Sequence, residues 1–187
     1  MKKLVLLFAI LLPHVVLAQS QTEKIKRIRE QYNQALEILK NKDTEAWMEH
    51  ACYTLDLTSR INYSAAGPVK RKVEVLLNRL PSGYDFDSKD FNTFAPLLVK
   101  DIRSTAFDIY QEMLFDNRTG DLLFYYQYLP NIDGNGIVEM RYYYDKGKLI
   151  KSEPAYTEHL YLLPPKIAAE KAKALKAVVK NYNTLAD

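Results

Sequence analysis

The sequence is poor in the residues that most often carry chemistry. Among 187 residues there is one cysteine, Cys52, and there are three histidines. A single cysteine excludes an intramolecular disulfide. In a strand such a residue reads as a small buried hydrophobe, not as a nucleophile. His14 lies in the N-terminal apolar segment, which leaves His50 and His159, far apart in sequence. His50 and Cys52 stand two apart and so fall on one side of a strand. A working Cys–His couple needs the imidazole within about 3 Å of sulfur and a third group to orient it. No pattern for that is present, and no second metal-ligand pair accompanies the two residues. There is no phosphate-cradling Gly-rich loop and no nucleophile elbow. Strong charge is missing too. The net charge of +3 includes Lys2 and Lys3, and without them it falls to +1. That balance gives no argument for nucleic acid. No catalytic, metal-binding or cofactor-binding residue is expected, and no cofactor.

The first residues, MKKLVLLFAILLPHVVLAQS, have the three parts of an export signal. Lys2 and Lys3 form a basic start, Leu4 to Leu12 an apolar core, and Val16-Leu17-Ala18 a small-residue cleavage site. The apolar core is too short to span a bilayer, which takes about 20 residues, and no later segment is apolar enough to try. The expected organisation is a signal peptide over 1–18 and a single domain over 19–187, giving a periplasmic or secreted protein cut near Ala18/Gln19.

Beyond the signal, Ile25, Ile28, Tyr32, Ala35 and Leu39 recur at steps of three and four, which predicts a helix with one apolar stripe. Thr22 is placed to cap it and Asn41 to end it. The period then changes to two. YTLDLTSRINY and VKRKVEVLLN flank a Gly-Pro loop and read as a hairpin. The stretch 80–96, with two prolines and no steady period, reads as a long loop packed by its aromatics. STAFDIYQEMLFD, DLLFYYQYL, GIVEMRYYYD and KLIKSEP follow as strands of an antiparallel meander, since every connection is too short for a parallel crossover. Pro164 and Pro165 open a last helix, striped by Ala168, Ala172, Leu175, Val179 and Tyr182. The fold class expected is α+β: an N-terminal helix, an antiparallel meander of about five or six strands, and a C-terminal helix, both helices on one side of the sheet.

Four features compete as sites. NIDGNGIVE, residues 131–139, places Asn131, Asp133, Asn135 and Gly136 as a calcium loop does. The twelfth position, where a bidentate acid is required, is Tyr142, and the flanks read as strands. A hairpin connection explains these residues without a metal. The acids Asp56, Asp108, Glu112 and Glu139 occupy the polar phase of alternating strands, where solvated carboxylates are expected. The C-terminal helix carries Lys166, Lys171, Lys173, Lys176 and Lys180 against Glu170; a solvated face is expected there, since the stripe lacks membrane anchors. Tyrosines crowd the strands, and alternation puts Tyr143 with Glu139 and Arg141 opposite Val138, Met140, Tyr142 and Tyr144. An interaction surface is expected at Tyr110, Tyr125, Arg141 and Tyr143, because a tyrosine buries its ring and keeps its hydroxyl wet.

NYSAAGPVKRKVEVLLN, YQEMLFDNRTGDLLFYY and EMRYYYDKGKLIK, taken with the signal, resemble small exported proteins of Bacteroidetes bacteria. The resemblance implies the compartment and the α+β class and assigns no activity. The reading from sequence is an exported, non-catalytic binding module for a protein, peptide or glycan. The alternative is a small-molecule pocket or hydrolase-like enzyme on a cystatin-like or nuclear-transport-factor-like fold.

Overall fold

The computed structural model describes residues 2–41, 53–63, 67–79, 94–105, 108–130, 137–155 and 162–185. The elements in chain order are α1 (Lys2–Lys40), β1 (Tyr53–Tyr63), β2 (Gly67–Arg79), β3 (Phe94–Ser104), β4 (Asp108–Phe115), β5 (Leu122–Pro130), β6 (Ile137–Asp145), β7 (Lys148–Glu153) and α2 (Pro165–Leu185). All seven strands join one antiparallel sheet in sequence order. The class is α+β, as the periodicities indicate, but the sheet has seven strands instead of five or six.

The missed strand is β3, whose first three residues fall in the stretch 80–96 read as a loop, the rest of which lies outside the described residues. Two features hide it. Pro96 removes a ladder donor, and it sits at a bulge where Leu76 pairs Leu98 and Leu77 pairs Pro96, leaving Leu97 unopposed. Bulges are where a strand tolerates proline. Leu98 and Val99 are both fully buried although they point to opposite faces, so the strand shows no alternation to read.

That double burial has one cause, contrary to the expectation of both helices on one side. The helices lie on opposite faces of the sheet. Ala168, Ala172, Leu175 and Val179 of α2 pack on Val73, Val75, Val99, Met113, Phe115, Tyr125, Met140, Tyr142 and Tyr144. Ile25, Ile28, Ala35 and Leu39 of α1 pack on Leu76, Leu98, Leu114, Phe124 and Tyr143. Each buried Val, Leu, Ile, Phe or Met among these contributes about 1.5–3 kcal/mol on leaving water, so two apolar faces stabilise more than either helix alone could. The α1 helix runs without a break through Thr22, which therefore does not cap its start. It does end at Asn41, whose Nδ2 donates to Glu37 Oε1 at 3.1 Å.

Polar groups fix the docking of α2. Gln127, fully buried in mid-sheet, accepts from Leu163 N at 2.9 Å and donates to Leu163 O at 2.8 Å. Tyr142 donates to the same carbonyl at 2.9 Å, and Tyr144 to Pro165 O at 2.7 Å. The helix entry is thus held from the sheet by three side chains. On the β4–β5 turn, Asp116 Oδ1 accepts from the amides of Arg118 and Thr119, and Gly120 takes φ +67. Lys176 of α2 donates to Gly120 O at 2.7 Å. The β6–β7 hairpin turns on Lys146 and Gly147, both with positive φ, as a two-residue turn matched to strand twist requires.

Residues 131–136 lie outside the described part, as do His50, Cys52 and His159. The strands on either side of 131–136 are adjacent and antiparallel, from Phe124 opposite Tyr143 to Pro130 opposite Ile137.

Candidate functional site

The face that carries α1 divides into rows of side chains set by register. Leu76, Leu98, Leu114, Phe124 and Tyr143 stand opposite one another in sequence and form the apolar row under the helix. The next row is Glu74, Lys100, Glu112, Tyr126, Arg141 and Glu153. Beyond it come Lys72, Ile102, Tyr110, Tyr128 and Glu139. In this third row Ile102, Tyr110, Tyr128 and Glu139 are half-buried and Lys72 is exposed. The two outer rows thus make a half-open strip beside the helix.

Glu112 anchors the boundary between strip and helix. It is only 2 % exposed, and its two oxygens accept from the hydroxyls of Tyr32 on α1 and Tyr110 on β4. This corrects its reading as a solvated acid; Asp56 and Asp108 are exposed as expected. Burial first, and the adjacent carboxylate second or third, raise the phenols of Tyr32 and Tyr110 well above their ordinary value. Both therefore stay protonated and keep donating.

The neighbouring groups are also paired. Tyr126 donates to Glu139 Oε2 at 3.0 Å, and Arg141 Nη1 meets Glu139 Oε1 at 2.7 Å. The Arg141 guanidinium lies 5.4 Å from the Tyr126 ring centre, within cation–π range. Burial and the Glu139 carboxylate push the Tyr126 phenol up to about 12. Arg29 of α1 donates from Nε to Tyr143 at 3.0 Å and from Nη2 to Glu153 Oε2 at 2.6 Å. Tyr143 in turn donates to Glu153, and Lys151 pairs with it. Lys151 first, then Arg29 and Tyr143, hold the Glu153 carboxyl below its usual value. A cleft of about 310 Å³ opens here, lined by Arg29, Tyr32, Asn33, Phe124, Arg141, Tyr143 and Glu153.

The four residues expected to form one interaction surface therefore divide. Tyr110 and Arg141 lie half-buried on the strip. Tyr143 shares their face, as alternation requires, but is 1 % exposed beneath α1. Tyr125 is on the other face, fully buried and stacked on Tyr142 at 6.2 Å between centres. In a run of consecutive tyrosines, neighbours must point to opposite faces, so Tyr125 cannot join Tyr126. Its hydroxyl is buried without a hydrogen-bond partner among the described residues.

Beneath α2 is a second ionic centre that the sequence pattern does not single out. Asp101, 2 % exposed, accepts from Arg71 Nε at 2.8 Å and Nη2 at 2.9 Å, and Lys171 Nζ lies 2.5 Å from Oδ2. Lys171 also donates to Gln111. Burial pushes the Asp101 carboxyl up, but Arg71 and Lys171 together outweigh it and hold the group below its usual range. Lys171 and Lys176 are thus engaged with the sheet, unlike the exposed Lys166 and Lys173; the all-solvated face expected for this helix holds for two of these four, and the Lys180 side chain lies outside the described part.

Chemically, Glu112, Glu139, Glu153 and Asp101 are each already held by phenols or cations. A carboxylate saturated in this way is poorly placed to take or give a proton to a ligand. Among the described residues no three His, Cys, Asp or Glu side chains converge as a metal-ligand set, and no helix is long and apolar enough to cross a membrane. Comparison with known proteins finds no family model, no curated protein and no solved structure that matches this chain.

Proposed function

We propose that the protein is a non-catalytic binding module, exported by its N-terminal signal, that recognises a protein, peptide or glycan with one face of its sheet. The observation that carries this reading is the strip of half-buried Tyr110, Tyr126, Tyr128 and Ile102 beside α1. Two of its rings, Tyr110 and Tyr126, are held in place by the Glu112 and Glu139 bonds and by their edge contact at 6.3 Å. A pre-ordered aromatic surface loses little side-chain freedom when it meets a partner, which favours binding. Tyr128 lies outside that network and is the ring best suited to contact a ligand. The alternative, a pocket enzyme, is disfavoured because helices pack on the apolar part of each face and the strip's acids Glu112, Glu139 and Glu153 are paired.

Glycan and peptide arrays probed with the purified protein test this reading. Specific binding that falls by about tenfold or more in Tyr128→Ala, as loss of an interface anchor costs, supports it. Binding that ignores Tyr128→Ala and Tyr126→Ala alike, or turnover of a bound probe, refutes it.

A further inference from the structure

The two ends of the sheet are built differently. A free strand edge offers unpaired backbone groups to another chain, and proteins usually blunt it with short strands, bulges, prolines or charge of one sign. The β7 edge has several of these devices. It is six residues long, carries Lys148 and Lys151, breaks register with β6 at Tyr143/Tyr144, and is followed by Pro154. The β1 edge has none of them. It runs eleven residues, from Tyr53 to Tyr63, without proline and without a break in its register with β2. Among the described residues, no strand pairs with its outer side.

The side chains of β1 are also self-complementary. Asp56, Thr58, Arg60 and Asn62 point to the α1 side, with Leu55, Leu57 and Ile61 on the α2 side. Two copies pairing antiparallel about a two-fold axis normal to the sheet must centre on a residue, because opposed side chains share a face. Centring on Asp56 or Arg60 opposes like charges. Centring on Leu57 or Ser59 leaves both charges facing neutral groups. Centring on Thr58 sets Asp56 opposite Arg60 of the second copy, twice by symmetry. It also sets Leu55 opposite Ile61, which is 52 % exposed in the single chain, so the apolar face beneath α2 continues across the junction. Opposite charges and apolar pairs directly across a ladder are the stabilising ones.

We infer that the β1 edge is a self-association surface: two copies of this chain join there antiparallel, centred on Thr58, into one continuous sheet. The interface is isologous, as closed two-fold assemblies require. It leaves the Tyr110–Tyr128 strip of both copies open and on the same side, and it does not depend on what that strip binds.

Sedimentation equilibrium on protein purified from cells expressing the full chain tests this, with circular dichroism as the check on folding. A dimer with a dissociation constant below about 100 μM is expected. Asp56→Arg or Arg60→Asp alone creates two like-charge pairs and is expected to weaken the dimer about tenfold or more. The Asp56→Arg/Arg60→Asp double swap restores it. In a Cys52→Ser background, Thr58→Cys is expected to cross-link to itself under mild oxidation, because residues facing across a strand pair lie about 4.5–5.5 Å apart at Cα. Asp56→Cys does not, its two copies standing four residues, about 13 Å, out of register. A monomer at all concentrations, a dimer indifferent to the single swaps, or cross-linking at 56 as readily as at 58 overturns the inference.

Discussion

Asp101→Asn should destabilise the protein far more than Lys171→Met, although both remove one member of the same buried ionic centre. The carboxylate is 2 % exposed, while the side chains of Arg71 and Lys171 are 33 % and 20 % exposed. Replacing the acid by a neutral amide strands two cations at once. Leaving a buried partner uncompensated costs about 3–5 kcal/mol. Arg71 and Lys171 both retain some water, so the cost here is placed at about 2–4 kcal/mol. Lys171→Met acts differently. The two Arg71 bonds to Asp101 survive, and the methionine still covers the sheet. The desolvation that lowers the Lys171 ammonium below its usual value, against the pull of Asp101, is relieved. What is lost is the donor to Gln111, which is 5 % exposed, so the net cost is expected to be about 1 kcal/mol or less. Urea unfolding followed by circular dichroism reads both as shifts of midpoint at constant slope. The pH dependence follows from the same geometry. The folded Asp101 carboxyl lies below its unfolded value, so its contribution is complete above the ordinary carboxyl range. It is lost as pH falls from about 4 through the lower folded value. Asp101→Asn should therefore flatten the acid limb of the stability curve. Equal destabilisation by the two substitutions, or an acid limb unchanged by Asp101→Asn, would refute the reasoning.

Other outcomes follow from single side chains. Tyr125→Phe should leave stability unchanged or raise it by up to about 1 kcal/mol, because the hydroxyl it removes is buried without a partner among the described residues. Tyr142→Phe, on the same face, should cost about 1–2 kcal/mol through the lost bonds to Gln127 and Leu163; the reverse order would show that the Tyr125 hydroxyl is satisfied in solution. Glu112→Ala strands the Tyr32 and Tyr110 hydroxyls and opens a cavity, for about 2–4 kcal/mol. Hydrogen exchange should then quicken chiefly in residues 25–39 of α1, and a uniform change would mean that Glu112 is no anchor. Alkaline titration of the fourteen tyrosines should lag. Burial raises the phenols of Tyr32, Tyr110, Tyr125 and Tyr144 well above 10 and that of Tyr126 to about 12. Such groups favour the fold below about pH 10 and withdraw that support as pH rises, so phenolate absorbance should jump together with unfolding. Smooth ionisation of all tyrosines near pH 10, with the fold intact, would contradict their burial.

The alternation of β6 is legible in the sequence: Met140, Tyr142 and Tyr144 face one core, and Glu139, Arg141 and Tyr143 the other side. So are the stripes of α1 and α2, because steps of three and four match a helical turn and no strand period. The polar phase of these strands does not face water throughout, as Glu112 shows. A polar phase in water belongs to a sheet covered on one face, and here α1 covers part of the second. Its coverage explains why Glu112, spaced like the exposed Asp108, is buried. It also explains why Tyr143 is hidden while Arg141, two residues earlier, is half-exposed. The information was present in a form that a period-two reading discards. Leu97-Leu98-Val99, Met113-Leu114-Phe115 and Tyr142-Tyr143-Tyr144 are apolar or aromatic in both phases, whereas Val138-Glu139-Met140-Arg141 of β6 alternates and Lys100-Asp101 and Gln111-Glu112 are polar in both. A strand with both phases apolar at one end and one at the other is covered on both faces at the first end only. The row where the second phase turns polar is then the border of the covering helix. In this chain that border runs through Lys100, Glu112, Tyr126 and Arg141, beside the strip proposed to bind.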